Sequence, residues 1–115
     1  MAVPILSDKA EADFRQIILK SYERFGNLAA ERYKKLLEVA MLEVANNPQS
    51  KVSKPYHKGK KTVRIYHVRY SRQKAAIDGV TVQASRHFVA YVVRADGRVE
   101  IVRLLHDGMD FSRHL

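Results

Sequence analysis

The sequence predicts an α+β fold: a short N-terminal strand, an antiparallel helical hairpin, and a C-terminal antiparallel sheet. Three observations predict it. Residues 8–46 repeat apolar side chains at three- and four-residue steps, interrupted once by Gly26. Residues 62–106 change to β-branched and aromatic runs separated by Asp-Gly pairs. The length of 115 residues suits one domain spanning 1–115. A two-helix hairpin cannot cover its own apolar stripe, so the second half has to supply the covering layer.

Val3 to Leu6 is a short apolar run, and Pro4 suits a strand start or edge because proline brings no N–H to a ladder. Ser7 is placed to cap a helix, with Asp8 and Glu11 at the positive end of its dipole. Ala10, Phe14, Ile17, Ile18, Ser21, Tyr22 and Phe25 trace one stripe until Gly26 stops the helix. Asn27 is the expected cap of a second helix. Its stripe is Ala29, Tyr33, Leu36, Leu37, Ala40, Met41, Val44 and Ala45, and Asn46, Asn47 and Pro48 end it. So short a link turns the helices back on each other.

Thr62 to Tyr70 reads as a strand whose imperfect alternation predicts a bulge or an edge position. Phe88 to Val93 is almost continuously apolar, as a strand covered on both faces should be. Asp96-Gly97 predicts a type I′ turn joining it to an antiparallel partner, Val99 to His106. Strict alternation there puts Val99, Ile101, Arg103 and Leu105 on one face, and Glu100, Val102, Leu104 and His106 on the other. Residues 71–85 form an expected inserted loop or hairpin, with Asp78-Gly79, Val80 and Val82 able to make a small turn. Met109, Phe111 and Leu115 can return to the sheet as a turn of helix.

The net charge of +9 sits in one place. Residues 1–47 carry seven basic and seven acidic side chains, and residues 78–115 carry five of each. Residues 48–77 hold nine basic side chains and no acid. Such a segment attracts nucleic acid or an acidic protein surface. The absence of cysteine excludes disulfides, thiol chemistry and cysteine-based zinc sites. The N-terminus meets acidic residues before any signal-like apolar stretch, and no window approaches a membrane span, so a cytoplasmic protein with no membrane partner is expected.

Five histidines raise the question of acid–base chemistry, and His106 lies beside Asp107. No metal-binding motif or glycine-rich phosphate loop is present, so neither a metal nor a cofactor is expected. RNA cleavage would need cations such as Lys58, Lys60, Lys61, Arg64 and Arg86, with Tyr66, Tyr91 or His87 moving a proton. The same residues serve binding equally well, because phosphate contacts give affinity without chemistry.

Taken in order, several segments resemble the ParE/RelE toxin superfamily of type II toxin–antitoxin systems, more closely its ParE branch. They are LSDKAEADFRQI, the Gly26 break followed by Ala29-Ala30-Glu31-Arg32-Tyr33, Asn47-Pro48 after the second helix, and VEIVRLLHDGMD followed by FSRHL. The resemblance implies an N-terminal strand, a helix pair and a three-stranded antiparallel continuation. It implies a cognate antitoxin whose C-terminal portion wraps the toxin, and a toxin that inhibits DNA gyrase or the gyrase–DNA complex rather than acting as an enzyme. The alternatives are a ribosome-dependent mRNA endonuclease of RelE type and an inactive antitoxin-binding homologue. The C-terminal tyrosine of RelE-like relatives is absent, since no tyrosine follows Tyr91. The span 71–85 is longer than in compact ParE sequences. The residues expected to meet target or antitoxin are Arg64, Arg69, Arg72, Arg103, His106, Asp110 and Arg113, with Lys58, Lys60 and Lys61 as a basic patch and no catalytic residue. Arg103, inside an apolar strand, needs a partner, and Asp110 is the local candidate.

Overall fold

In the computed structural model, which describes residues 2–115, Ser7 both starts the first helix and ties it to the sheet. Its hydroxyl oxygen accepts the Ala10 N–H at 3.0 Å while its own proton goes to the Val102 carbonyl at 2.9 Å. Before Ser7 lies β1, Ile5–Leu6, and after it α1, Asp8–Phe25. Helix α2, Asn27–Asn46, follows a single linking residue. That residue, Gly26, has φ 89°, which lets its N–H close α1 on the Tyr22 carbonyl at 2.9 Å while its carbonyl accepts the Ala30 N–H at 3.1 Å. Asn27 is therefore the first helical residue and not the expected cap, and α2 begins with no side-chain cap. One residue does two jobs.

The sheet contains β2 (Lys54–Lys58), β3 (Lys61–His67), β4 (His87–Val93) and β5 (Val99–His106) in the order β1-β5-β4-β3-β2. All neighbours are antiparallel except β1, which runs parallel to β5 through Ile5↔Glu100 and Leu6↔Ile101. Strand β2 is an element that the sequence reading lacks. It pairs on one side only, where Pro55 is tolerated, and its lysines discourage pairing of the free edge with another chain.

Strand β3 ends three residues before the expected Tyr70. The His67 Nδ1 accepts the Arg69 N–H at 3.1 Å and turns the chain into a 3-10 turn, Val68–Ser71. The tyrosine Tyr66 bonds Ser71 Oγ at 2.8 Å, Ser71 donates to Glu43 at 3.0 Å, and Lys74 donates to the other Glu43 oxygen at 3.0 Å. This chain of bonds fastens the turn to α2.

The two Asp-Gly pairs exchange the expected roles. Asp78 and Gly79 both have positive φ, 51° and 76°, and Ile77 and Val80 exchange backbone bonds across them, which is the type I′ arrangement. Between β4 and β5 only Gly97 has positive φ, 85°; Arg94 O accepts the Gly97 N–H and the Arg94 N–H reaches Arg98 O. That is a three-residue loop with glycine in the left-handed position, not type I′.

Strand β5 also departs from strict alternation. Ala90 faces Arg103 and Tyr91 faces Ile101, so Val102 is an extra residue. Val99, Ile101 and Leu104 consequently all pack toward the helices, whereas Val102 joins the opposite face. The helix-side core holds Leu36, Leu37, Val44, Val89 and Tyr91, all essentially inaccessible. On the other face Val63, Ile65 and Ala90 pack with Tyr56, Phe88 and Val92 under α3, Phe111–His114. Phe111 meets Tyr56 and Phe88 edge-on at 5.9 and 5.2 Å, and Leu115 joins the cluster. The tail thus fastens as expected, except that Met109 stays exposed.

Candidate functional site

Pairing of His87 with His106, and of His67 with Phe88, gathers three imidazoles where β3 ends, β4 begins and β5 ends. Each imidazole is hydrogen-bonded within the chain at Nδ1. For His67 the donor is the Arg69 N–H, so its Nε2 carries the proton and donates to Asp107 Oδ2 at 3.1 Å. For His106 the donor is the Gly108 N–H at 3.0 Å. The His87 Nδ1 shares a 2.6 Å hydrogen bond with the Tyr33 hydroxyl, which itself accepts the Arg86 N–H at 3.0 Å.

Burial is the leading influence on the titration of Tyr33, His87 and His67. It pushes Tyr33 up to about 12. It pushes His87 down to about 4, and the neighbouring His106 adds to the shift. Burial lowers His67 as well, against the opposing hydrogen bond to Asp107. Burial would raise Asp107, but the His67 bond and the charges of His106 and Arg86 outweigh it and hold the carboxyl below its usual range. His67 and His87 are therefore neutral imidazoles beside one carboxylate at pH 7. The sequence neighbour His106 is 3.6 Å from Asp107, while His67, forty residues away, holds the hydrogen bond.

Beside this cluster is an open cleft of about 440 Å³ lined by Arg69, Arg72, Arg86, Gln83, His67 and Asp107. Its three guanidinium groups form no ion pair among the described residues. The Arg69 guanidinium carbon lies over the exposed Tyr70 ring, 4.9 Å from its centroid, and Nη2 donates to the Tyr70 hydroxyl at 3.1 Å.

The expected contact residues separate by environment. Arg69 and Arg72 line the cleft, and exposed His106 adjoins it. Arg64 bonds Ser53 Oγ at 2.7 and 2.9 Å and the Ser53 carbonyl at 3.1 Å, so it holds the loop before β2. Arg103 pairs with Asp13, not Asp110: Nε and Nη2 meet the two carboxylate oxygens at 2.8 and 3.0 Å. The bulge and the end of β1 leave that edge of β5 facing α1, which brings Asp13 within reach. Asp110 caps α3, accepting from Ser112 N and Oγ at 3.0 and 2.7 Å, and Arg113 is 82% exposed. Lys58, Lys60 and Lys61 lie at the β2–β3 turn, where Lys58 donates to the Ser112 carbonyl at 2.6 Å. Tyr33, His67 and Arg86 are absent from the expected contact residues. Tyr33 fits an apolar stripe perfectly well, and only the fold sets its hydroxyl beside residues 86 and 87.

A second surface lies at the distal end of the helical hairpin. Leu19, Tyr22, Phe25 and Leu28 are at least half exposed, Phe25 at 73%. The α1 stripe thus buries its first half, through Ala10, Phe14, Ile17 and Ile18, and leaves its last turns uncovered. Among the described residues no helix is long and apolar enough to cross a membrane.

Comparison with known proteins agrees with this architecture. The model of the family described as ParE toxin of type II toxin-antitoxin system, parDE, matches residues 5–111. Toxin ParE1 of Mycobacterium tuberculosis, in strains CDC 1551 / Oshkosh and ATCC 25618 / H37Rv, is 27% identical over 116 aligned positions, covering 96% of this chain and 95% of the relative. The family match takes in the linking glycine, the whole sheet and the cap of α3, and the chain belongs to the ParE toxin family of type II toxin–antitoxin systems.

Proposed function

We propose that this ParE-family chain acts in the cytoplasm as one toxin domain that inhibits DNA gyrase, and that a cognate antitoxin neutralises it. The observation that carries this reading over RNA cleavage is the inward commitment of Tyr66, Tyr91, His67 and His87. Tyr91 is fully buried and donates to the Pro48 carbonyl at 2.6 Å, and Tyr66 is buried against Ser71. All three imidazoles of the cluster spend Nδ1 on hydrogen bonds within the chain. A chain built this way suits stoichiometric inhibition better than catalysis, which needs a base within reach of its proton.

The exposed Leu19, Tyr22, Phe25 and Leu28 support an antitoxin partner, since an amphipathic segment that orders on binding would cover them. The net charge of +9 favours an acidic segment and fast encounter. The test is brief expression in cells, with covalent gyrase–DNA complexes and new mRNA ends measured in the same samples. Gyrase complexes before any RNA cuts are expected. RNA ends within the ribosomal A site, appearing first, would replace this reading with the endonuclease one.

A further inference from the structure

We propose that the arginine cleft holds a backbone phosphate of a single-stranded nucleic acid between Arg69, Arg72 and Arg86, with an adjoining base stacked on the Arg69–Tyr70 pair. This site does not depend on which enzyme the toxin inhibits.

The structure treats its arginines in two ways. Arg103 and Arg64 are held by internal oxygens at 2.7–3.1 Å and serve packing. Arg69, Arg72 and Arg86 converge on one concave surface with no ion pair among the described residues, Arg69 donating to the exposed Tyr70 hydroxyl at 3.1 Å. The carboxylate in the cleft, Asp107, is already engaged by His67. Guanidinium forks match phosphate oxygens in pairs, so the chemistry left over is that of an anion receptor. The receptor is also preorganised. The Tyr66–Ser71–Glu43–Lys74 chain fixes the turn that carries Arg69 and Arg72, and Arg86 is placed by its backbone bond to Tyr33.

Two features select a nucleic acid strand over an acidic peptide. The Arg69 guanidinium, 4.9 Å from the exposed Tyr70 ring centroid and bonded to its hydroxyl at 3.1 Å, sets a planar cation beside an aromatic face on which a base can stack, and a carboxylate gains nothing from the aromatic face. A cleft of about 440 Å³ accommodates one nucleotide unit, whereas a duplex would keep its bases stacked internally and out of reach.

The experiment measures fluorescence anisotropy of the full chain with a labelled oligothymidylate of about twelve nucleotides across a salt series. The one phosphate neutralised in the cleft contributes about −0.7 to the slope of log K against log salt. Replacing Arg69, Arg72 and Arg86 together by alanine should weaken binding at least tenfold, to about the level of non-specific binding, and flatten the slope. The triple variant Lys58→Ala, Lys60→Ala, Lys61→Ala removes equal charge elsewhere and should lose much less. Arg72→Gln with Arg86→Gln provides the same readout should the triple arginine variant fold poorly. Tyr70→Leu should weaken the single strand and leave competition by inorganic phosphate unchanged. Equal losses in the arginine and lysine variants would overturn the proposal. So would equal affinity for a blunt duplex, or equally effective competition by an oligoglutamate of matched charge.

Discussion

Replacing Asp13 with alanine probes the joint between α1 and the edge of β5. One Asp13 oxygen accepts Arg103 Nε at 2.8 Å and the Leu104 N–H at 2.9 Å, and the other accepts Arg103 Nη2 at 3.0 Å. Breaking a fully buried pair costs about 3–5 kcal/mol because the surviving charge is stranded. Here the side chains are 17% and 20% exposed, and Arg103 keeps the His114 carbonyl at 3.2 Å. The ionic loss therefore falls to about 1–2 kcal/mol, given this access to solvent. The orphaned Leu104 N–H adds about 1 kcal/mol. The sum of about 2–3 kcal/mol corresponds to a fall in Tm of roughly 8–12 °C for a domain of this length. Thermal unfolding followed by circular dichroism measures it. Arg103→Met should cost less, since Asp13 would still accept the Leu104 N–H. A fall of less than about 2 °C for Asp13→Ala, or a larger loss for Arg103→Met, would refute the reasoning.

Stability should fall on mild acidification. His87 titrates near 4 in the folded chain against an ordinary 6.5, so the unfolded state binds more protons between those values. Its contribution is fully present above pH 6.5 and lost as pH falls toward 4, up to about 3 kcal/mol, with His67 acting in the same direction. Urea titrations from pH 7 to pH 4.5 should show that slope, and His87→Phe should reduce it; a flat wild-type profile would contradict the burial argument. Tyr91→Phe leaves the Pro48 carbonyl without its buried donor and should cost about 1–2 kcal/mol by urea denaturation. Phe111→Ala removes the half-buried ring between Tyr56 and Phe88, should cost about 2 kcal/mol, and should speed amide exchange at Leu115, whose N–H bonds the Phe111 carbonyl.

The helical half was legible because its signals are local. Apolar spacing, Ser7 and Gly26 each act within a turn of where they stand, and the α+β order followed directly. Apart from Asn27, whose capping place Gly26 takes, misreadings arise where a long-range partner decides. Whether Asp78-Gly79 or Asp96-Gly97 forms the type I′ turn depends on the register of the flanking strands, and composition does not distinguish them. The Val102 bulge exists because β4 dictates it, and it moved Leu104 to the core side. Strand β2 hid behind Pro55 and its lysines, which are the residues an edge strand can carry.

The candidate site was visible as charge but not as geometry. Arg69 and Arg72 could be named from the acid-free segment, whereas Arg86 lies outside it and joins them through the fold. Asp107 stood beside His106 in sequence and pairs with His67 in space. Asp110 was the local choice for Arg103, and α1 supplied Asp13 instead.

The most direct test of the central claim uses purified gyrase, relaxed plasmid and the toxin, with the DNA analysed after detergent and protease treatment. The account predicts that toxin blocks supercoiling and accumulates cleaved DNA in proportion to its concentration, and that prior addition of the cognate antitoxin abolishes both effects. Undisturbed supercoiling at excess toxin, with the same preparation cutting mRNA on ribosomes, would contradict it.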